Sequence, residues 1–213
     1  MKTLNRLFAA FFIFAALFAG HASAQEAPDA LIKRISQDVL DSAKADRAIQ
    51  AGNQKRIQKL VETKILPHVD FQRMTSLAAG RYWHDATPAQ KQRLTKEFRD
   101  LLVHTYSGAI AQIKDQTLQF RPFRASPSAT DVIVYSQVLQ TRGREPIQLN
   151  YRLEKQASGW KVYDINVLGA WLVQTYKGTF ATEIGKGGID GLIRTLADKN
   201  RTLAATPIKK ARS

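Results

Sequence analysis

Tyr163-Asp-Ile-Asn-Val-Leu-Gly-Ala-Trp-Leu-Val-Gln-Thr-Tyr176 starts as one kind of structure and finishes as another. Tyr163 to Val167 reads as a strand, and Gly169 turns the chain. Beyond the turn Leu172, Tyr176, Phe180 and Ile184 recur every four residues, which makes one apolar helical stripe. Trp171 and Val173 widen it. The glycines Gly185, Gly187 and Gly188 end that helix, and Ile189, Leu192, Ile193 and Leu196 mark a second one. A strand thus feeds two helices whose apolar faces exceed what a small chain obviously needs. We read them as part of the lining of an apolar cavity; the competing reading is ordinary core.

Upstream, the pattern is helical. Leu31, Ile32, Ile35 and Val39 have helical spacing after Pro28-Asp29, and Gly52-Asn53 interrupts it. A second helix carries Ile57, Leu60, Val61 and Ile65 and stops before Pro67. Asp70 is placed to cap a third, with Phe71, Met74 and Leu77 on one face and Gly80 at its end. Thr87-Pro88-Ala89-Gln90 is a capping box with proline at the first helical position. The helix it opens is predicted to run to Ile113, roughly 39 Å at 1.5 Å per residue. Phe98, Leu102 and Tyr106 lie on its apolar side.

The period then changes to two. Leu118 and Phe120 begin a strand, and Val132, Val134 and their neighbours to Leu139 form a covered one. Ile147, Leu149, Tyr151 and Leu153 alternate with polar residues in a third. Gly143 and Ser158-Gly159 supply the turns. In the fourth strand Trp160 and Val162 share one parity while Ile165 and Val167 share the other, so a bulge is predicted near Tyr163-Asp164. Helices, then an antiparallel meander of about four strands, then helices define an α+β fold with helices on one face of a curled sheet and an apolar cavity between them. The candidate lining is Met74, Phe98, Leu102 and Tyr106 from the helices, Val132, Val134, Leu149, Tyr151, Ile165 and Val167 from the sheet, and Trp171, Leu172, Tyr176, Phe180 and Ile184 from the closing stretch.

The 213 residues hold 32 Lys and Arg against 18 Asp and Glu. Residues 1–24 read as a cleavable export signal: Lys2 and Arg6, an apolar run from Leu7 to Gly20 shorter than the roughly 20 residues of a spanning helix, then Ala22-Ser23-Ala24. The domain is placed at 25–200 and a basic disordered tail at 201–213. Export argues against a nucleic-acid partner despite the charge, which suits anionic headgroups or acidic protein surfaces instead. The absence of cysteine excludes disulfides and a lipidated cysteine.

Catalytic signals are sparse. His68, His84 and His104 have no metal-site spacing, and the glycine cluster lacks the dinucleotide fingerprint. One enzymatic reading remains: Asp164 at the bulge, with Glu183 behind it, as a general base raised in pKa by an apolar pocket. Against it stands Asp164 as a local backbone acceptor. A third class is an exported adaptor with a filled core.

His68-Val-Asp-Phe71, Arg73-Met74-Thr75, Gly80-Arg81-Tyr82-Trp83 with Ala86-Thr87-Pro88, and the closing stretch from Tyr163 to Leu196 resemble the MlaC family, also called toluene-tolerance proteins. The resemblance spans roughly Pro28 to Asn200. It implies a periplasmic, non-enzymatic phospholipid carrier, monomeric and without cofactor. It also implies partners: an outer-membrane lipoprotein–porin complex and an inner-membrane ABC-type complex bearing an MCE-domain protein. Such a carrier maintains outer-membrane lipid asymmetry. Its task has a clear energetic scale: roughly 28 methylenes in two acyl chains, at about 0.8 kcal/mol each, resist water by on the order of 20 kcal/mol.

Overall fold

A computed structural model describes residues 25–140 and 144–208. The expected export signal at 1–24, the expected turn at Gly143 and the last five residues of the tail lie outside the described residues. The chain order is α1 (Pro28–Ala45), α2 (Arg47–Gln50), α3 (Gln54–Lys64), a 3-10 turn (Leu66–His68), α4 (Phe71–Ala79), α5 (Tyr82–Asp85) and α6 (Pro88–Ile110). Six strands follow: β1 (Thr117–Phe120), β2 (Asp131–Val134), β3 (Ser136–Leu139), β4 (Ile147–Gln156), β5 (Gly159–Val167) and β6 (Ala170–Trp171). The last helix, α7, spans Leu172–Ala205. This is the predicted α+β arrangement, with an antiparallel, unclosed sheet.

Local chemistry accounts for most boundaries. Thr87 Oγ1 accepts the Gln90 N–H while Gln90 returns a bond to the Thr87 N–H, so the capping box is complete. Asp70 accepts the Arg73 N–H at the start of α4. The first helix stops earlier than Gly52, because Asp46 turns its carboxylate onto the N–H groups of Ala48 and Ile49 and starts α2 anew. α6 ends at Ile110 rather than Ile113. Its 23 residues still give a rod of about 34 Å.

The sheet departs from four strands in two places. The predicted second strand is broken at Tyr135 into β2 and β3, and both pair along the same edge of β4. Side chains seal the break: the Ser136 N–H donates to Asn150 Oδ1 at 3.1 Å, and the Ser136 hydroxyl donates to the Leu149 carbonyl. On the other edge of β4, Arg152 faces Asp164 but Leu153 faces Val162, so Tyr163 is the extra residue of the predicted bulge. Past Val167 the chain makes a two-residue hairpin, with both Leu168 and Gly169 at positive φ. The hairpin adds β6 before α7 begins.

α7 breaks at Gly187 and Gly188 as predicted, so it is two rods in sequence. Where an unstructured tail was expected from Arg201, the second rod continues to Ala205. Asn200 fixes it by donating to the Glu97 carbonyl and carboxylate at 2.9 Å. Ile208 packs on the α1–α3–α6 cluster, with its carbonyl oxygen 2.8 Å from where a side chain on Gly52 would begin.

The apolar interior is three clusters, where a domain of this size ordinarily has one. Met74, Phe98, Leu101, Phe180, Leu192 and Ile193 join α4, α6 and α7. Leu31 and Ile32 of α1 meet Val132, Val134, Leu153, Trp160 and Val162 of the sheet. Ile57, Leu60, Val61 and Ile110 join α3 to α6.

Candidate functional site

Cross-strand partners share a face of the sheet, so register sorts the strand residues into two sets. One face carries Val132, Val134, Tyr151, Leu153, Val162 and Ile165, together with Leu118, Val138, Ile147, Leu149 and Val167. The first end of this face is closed: Leu153 is 0% exposed, and Val132, Val134, Trp160 and Val162 are buried beneath α1. At the other end none of Leu118, Val138, Ile147, Leu149 and Val167 is fully buried. Close helix approaches are to β1, β2 and β5, with none of comparable extent on β3 or β4.

Tyr151 stands on this face, whereas Tyr176 and Tyr106 neighbour each other between α7 and α6. Burial pushes the Tyr151 hydroxyl up to about 12, with the hydroxyls of Ser36 and Ser136 opposing the shift. Burial also raises Tyr176, which stands near Tyr106 and Thr105 of α6, and it raises Tyr106 itself, an exposed residue. The floor is therefore apolar, with the neutral Tyr151 hydroxyl on the same face. Nothing in this set carries charge at neutral pH.

The candidate lining residues fall into separate places. Met74, Phe98, Leu102, Leu172, Phe180 and Ile184 are buried in the α4–α6–α7 cluster, with Ile165, Val167 and Tyr176 packed on it. Phe98 meets both Phe180 and Tyr176 edge to face, with ring centroids 4.9 Å apart. Val132 and Val134 lie in the cluster under α1, with Tyr151 beside them. Leu149 is on the half-covered floor. Trp171 pairs with Asn166 on the opposite face of the sheet, with the Arg152 guanidinium 4.0 Å above its ring. The strand residues of the open floor that the reading of the sequence left out are Leu118, Val138 and Ile147. Their alternation marked them as inward-facing, but only register shows that they line up across three strands.

Asp164 is fully buried on the Arg152 face, away from the apolar floor. Its Oδ1 accepts the N–H groups of Ile165 (2.9 Å) and Val173 (3.0 Å), and Oδ2 faces Arg152 Nη1 at 3.3 Å. Burial raises its pKa, and these donors oppose the rise. The carboxylate thus ties the bulge to the first turn of α7. Glu183, in turn, bonds Lys186 and Thr195, about 15 Å along the helix from Val173. The two carboxylates do not form one site. Among the described residues no group of His, Asp and Glu is disposed to hold a metal, and no helix is long and apolar enough to cross a membrane.

Two clefts open elsewhere. One, of about 690 Å³, lies between the first half of α6, the start of α4 and the β4–β5 turn. The other, of about 550 Å³, runs between α3, α6 and the segment ending at Ile208.

A sheet that buries one end of its apolar face beneath α1 and leaves the other half-covered defines a class: an α+β domain with a partly uncovered apolar sheet face. Comparison makes the class specific. Residues 33–198 match the model of the MlaC protein family, and the chain belongs to that family. It is 22% identical over 200 residues to the intermembrane phospholipid transport system binding protein MlaC of Haemophilus influenzae, covering 93% of this chain and 92% of that one. It is 23% identical over 168 residues to the toluene tolerance protein ttg2D of Pseudomonas putida, covering 78% and 77%. Among solved structures, a phospholipid-binding protein of Ralstonia solanacearum, in complex with a phospholipid, superposes with a TM-score of 0.78 at 45% identity. That match covers 83% of this chain and 98% of the other.

Proposed function

We propose that this chain is a phospholipid-binding transport protein whose cargo lies with its acyl chains on the half-covered floor of the sheet. The observation that carries this reading is the row Val138, Ile147 and Leu149 on β3 and β4, apolar, inward-facing and without a helix closely against it, with Leu118 of β1 alongside. The phospholipid held by the 45%-identical Ralstonia protein supports it, as does the transport named for the Haemophilus relative. In this reading the headgroup stays at the open end of the floor, beyond Ile147. The carrier works in the periplasm as a monomer without cofactor or catalysis. It passes lipid between an outer-membrane lipoprotein–porin complex and an inner-membrane ABC-type complex with an MCE-domain protein, and so maintains outer-membrane asymmetry.

Physical needs and observed parts agree. Chain burial must offset transfer from a bilayer without greatly exceeding it, and an apolar floor with a neutral hydroxyl does that without fixed charge. Native mass spectrometry of protein purified without added lipid tests the reading: an adduct of phospholipid mass is expected. It should be reduced by Leu149→Asp, which sets a carboxylate against acyl chains. Lipid-free protein from cells, with no uptake from vesicles, would overturn the proposal. Raised salt should leave the adduct in place, because screening over a Debye length of about 8 Å does not act on chain burial.

A further inference from the structure

The 690 Å³ cleft stands at the end of the molecule opposite the proposed mouth. It touches Gln156, whereas the open floor starts at Ile147. These residues are the two ends of β4, about 30 Å apart at 3.3 Å per residue. A headgroup held at that mouth does not reach it.

Four cations line the cleft: Arg93, Lys96, Arg99 and Lys161. Its lining carboxylate, Asp70, is engaged by the Arg73 N–H (2.8 Å) and Gln156 Nε2 (2.6 Å). Asp100 stands close by and pairs with Lys96 (2.8 Å) and Arg99 (2.9 Å), and Glu97 lies 3.7 Å from Lys96, while Lys161 donates to the Pro67 carbonyl. Arg93 is exposed and has no carboxylate within salt-bridge distance among the described residues. Val69 and Phe71 add apolar surface to the wall. Thr95 also lines the cleft, and its hydroxyl is buried with no hydrogen-bond partner. A buried hydroxyl without a partner is unusual and calls for an explanation.

We propose that this cleft docks an acidic segment of a partner protein, with carboxylates on Arg93 and Lys96, a hydrogen bond at Thr95, and an apolar side chain against Val69 and Phe71. The volume fits several side chains of a peptide and exceeds what a lone phosphate fills. Mixed cationic and apolar walls favour a segment carrying both kinds of group. Because mouth and cleft lie at opposite ends, the partner holds the carrier while the floor stays free to exchange cargo.

The test uses the full mature chain and a fluorescein-labelled peptide, Glu-Asp-Phe-Glu-Asp-Glu, read by fluorescence polarisation. Saturable binding is expected. Arg93→Glu/Lys96→Glu should weaken it by about tenfold or more. The charge-matched control Lys55→Glu/Lys59→Glu, on the exposed side of α3, should change it by less than about twofold. Thr95→Val, which keeps the shape and removes the hydroxyl, should weaken binding by a smaller factor and serves alone if the double variant fails to fold. Replacing the peptide's Phe with Ala should weaken binding as well. Three results would overturn the proposal: equal loss in the control pair, full displacement by millimolar inorganic phosphate, or no peptide binding alongside Arg93- and Lys96-dependent sedimentation with phosphatidylglycerol vesicles. Cargo is measured separately by mass, so failure here leaves the lipid reading untouched and the reverse also holds.

Discussion

The two ends of the sheet's apolar face are built from the same residue types and treated oppositely. At one end Leu153, Val132, Val134 and Val162 are sealed under α1. At the other, Leu118, Val138, Ile147 and Leu149 remain half-covered. The boundary falls where β4 meets two irregularities, the break at Tyr135 on one edge and the bulge at Tyr163 on the other. Bulges and breaks bend strands, and here both fall where the coverage changes. The difference teaches that apolar character alone does not tell core from container. What separates them here is how far along the sheet α1 covers it.

That contrast can be broken most forcefully where packing is complete. Phe180 is 0% exposed and sits against Phe98. Phe180→Ala should cost about 3–5 kcal/mol and lower Tm by on the order of 10 °C, with no gain on adding phospholipid beyond that of the unaltered protein. A small loss, recovered by lipid, would mean that the helical cluster is itself container.

The seam between the halves comes next. Asp164→Ala leaves the Ile165 and Val173 N–H groups without an acceptor and should cost about 2–3 kcal/mol in denaturant unfolding. Asp164→Asn keeps an acceptor oxygen and should fold with lipid binding nearly intact. Equal damage from both would show that the ion pair with Arg152, not the acceptor, holds the bulge.

At the open end the expected stability effect is smaller. Leu149→Ala should change unfolding by less than about 1 kcal/mol while reducing phosphorus bound per protein. If fold and lipid fall in proportion, as for Phe180→Ala, the two ends do not differ.

The smallest effect is a pH dependence. Burial holds the Asp164 pKa above its ordinary 3.8. The folded state therefore keeps this proton to higher pH than the unfolded state. The associated stability is complete below 3.8 and is lost as pH rises through the folded value. Thermal melts should show the unaltered protein losing stability relative to Asp164→Asn as pH rises from 4. Unaltered protein that instead gains on Asp164→Asn over this range would mean the Arg152 pairing outweighs burial.

Much of this was legible in the residues. Thr87-Pro88-Ala89-Gln90 specified the start of α6 because capping is local chemistry. The parity slip between Val162 and Ile165 located the bulge because a strand has period two. The break at Tyr135 was not legible. Val132 to Leu139 reads as one apolar run, and the interruption depends on Asn150, fourteen residues past Ser136. The same limit applied to the candidate lining. Phe98 and Phe180 carry a stripe that periodicity cannot assign to core or cavity, since both are apolar surfaces away from water. Trp171 was grouped with Leu172 by adjacency, but the hairpin at Leu168-Gly169 returns it to the other face. Arg93 and Lys96 stood out only as charge. Their cleft exists because α4 and the β4–β5 turn come to them from far along the chain.

The break in α7 has one more consequence, and it concerns handedness. Gly188 has φ 66° and ψ −173°, and a side chain built there meets nothing within 4 Å. The obstacle to any L-residue is therefore its own backbone chirality, in a region that essentially only glycine enters. The mirror image of these angles is ordinary extended backbone. L-alanine at this position should bend or unwind the junction between the two rods. D-alanine, placed by chemical ligation, would sit there unstrained and restrict the unfolded chain, so it should stabilise the fold that its mirror twin disrupts.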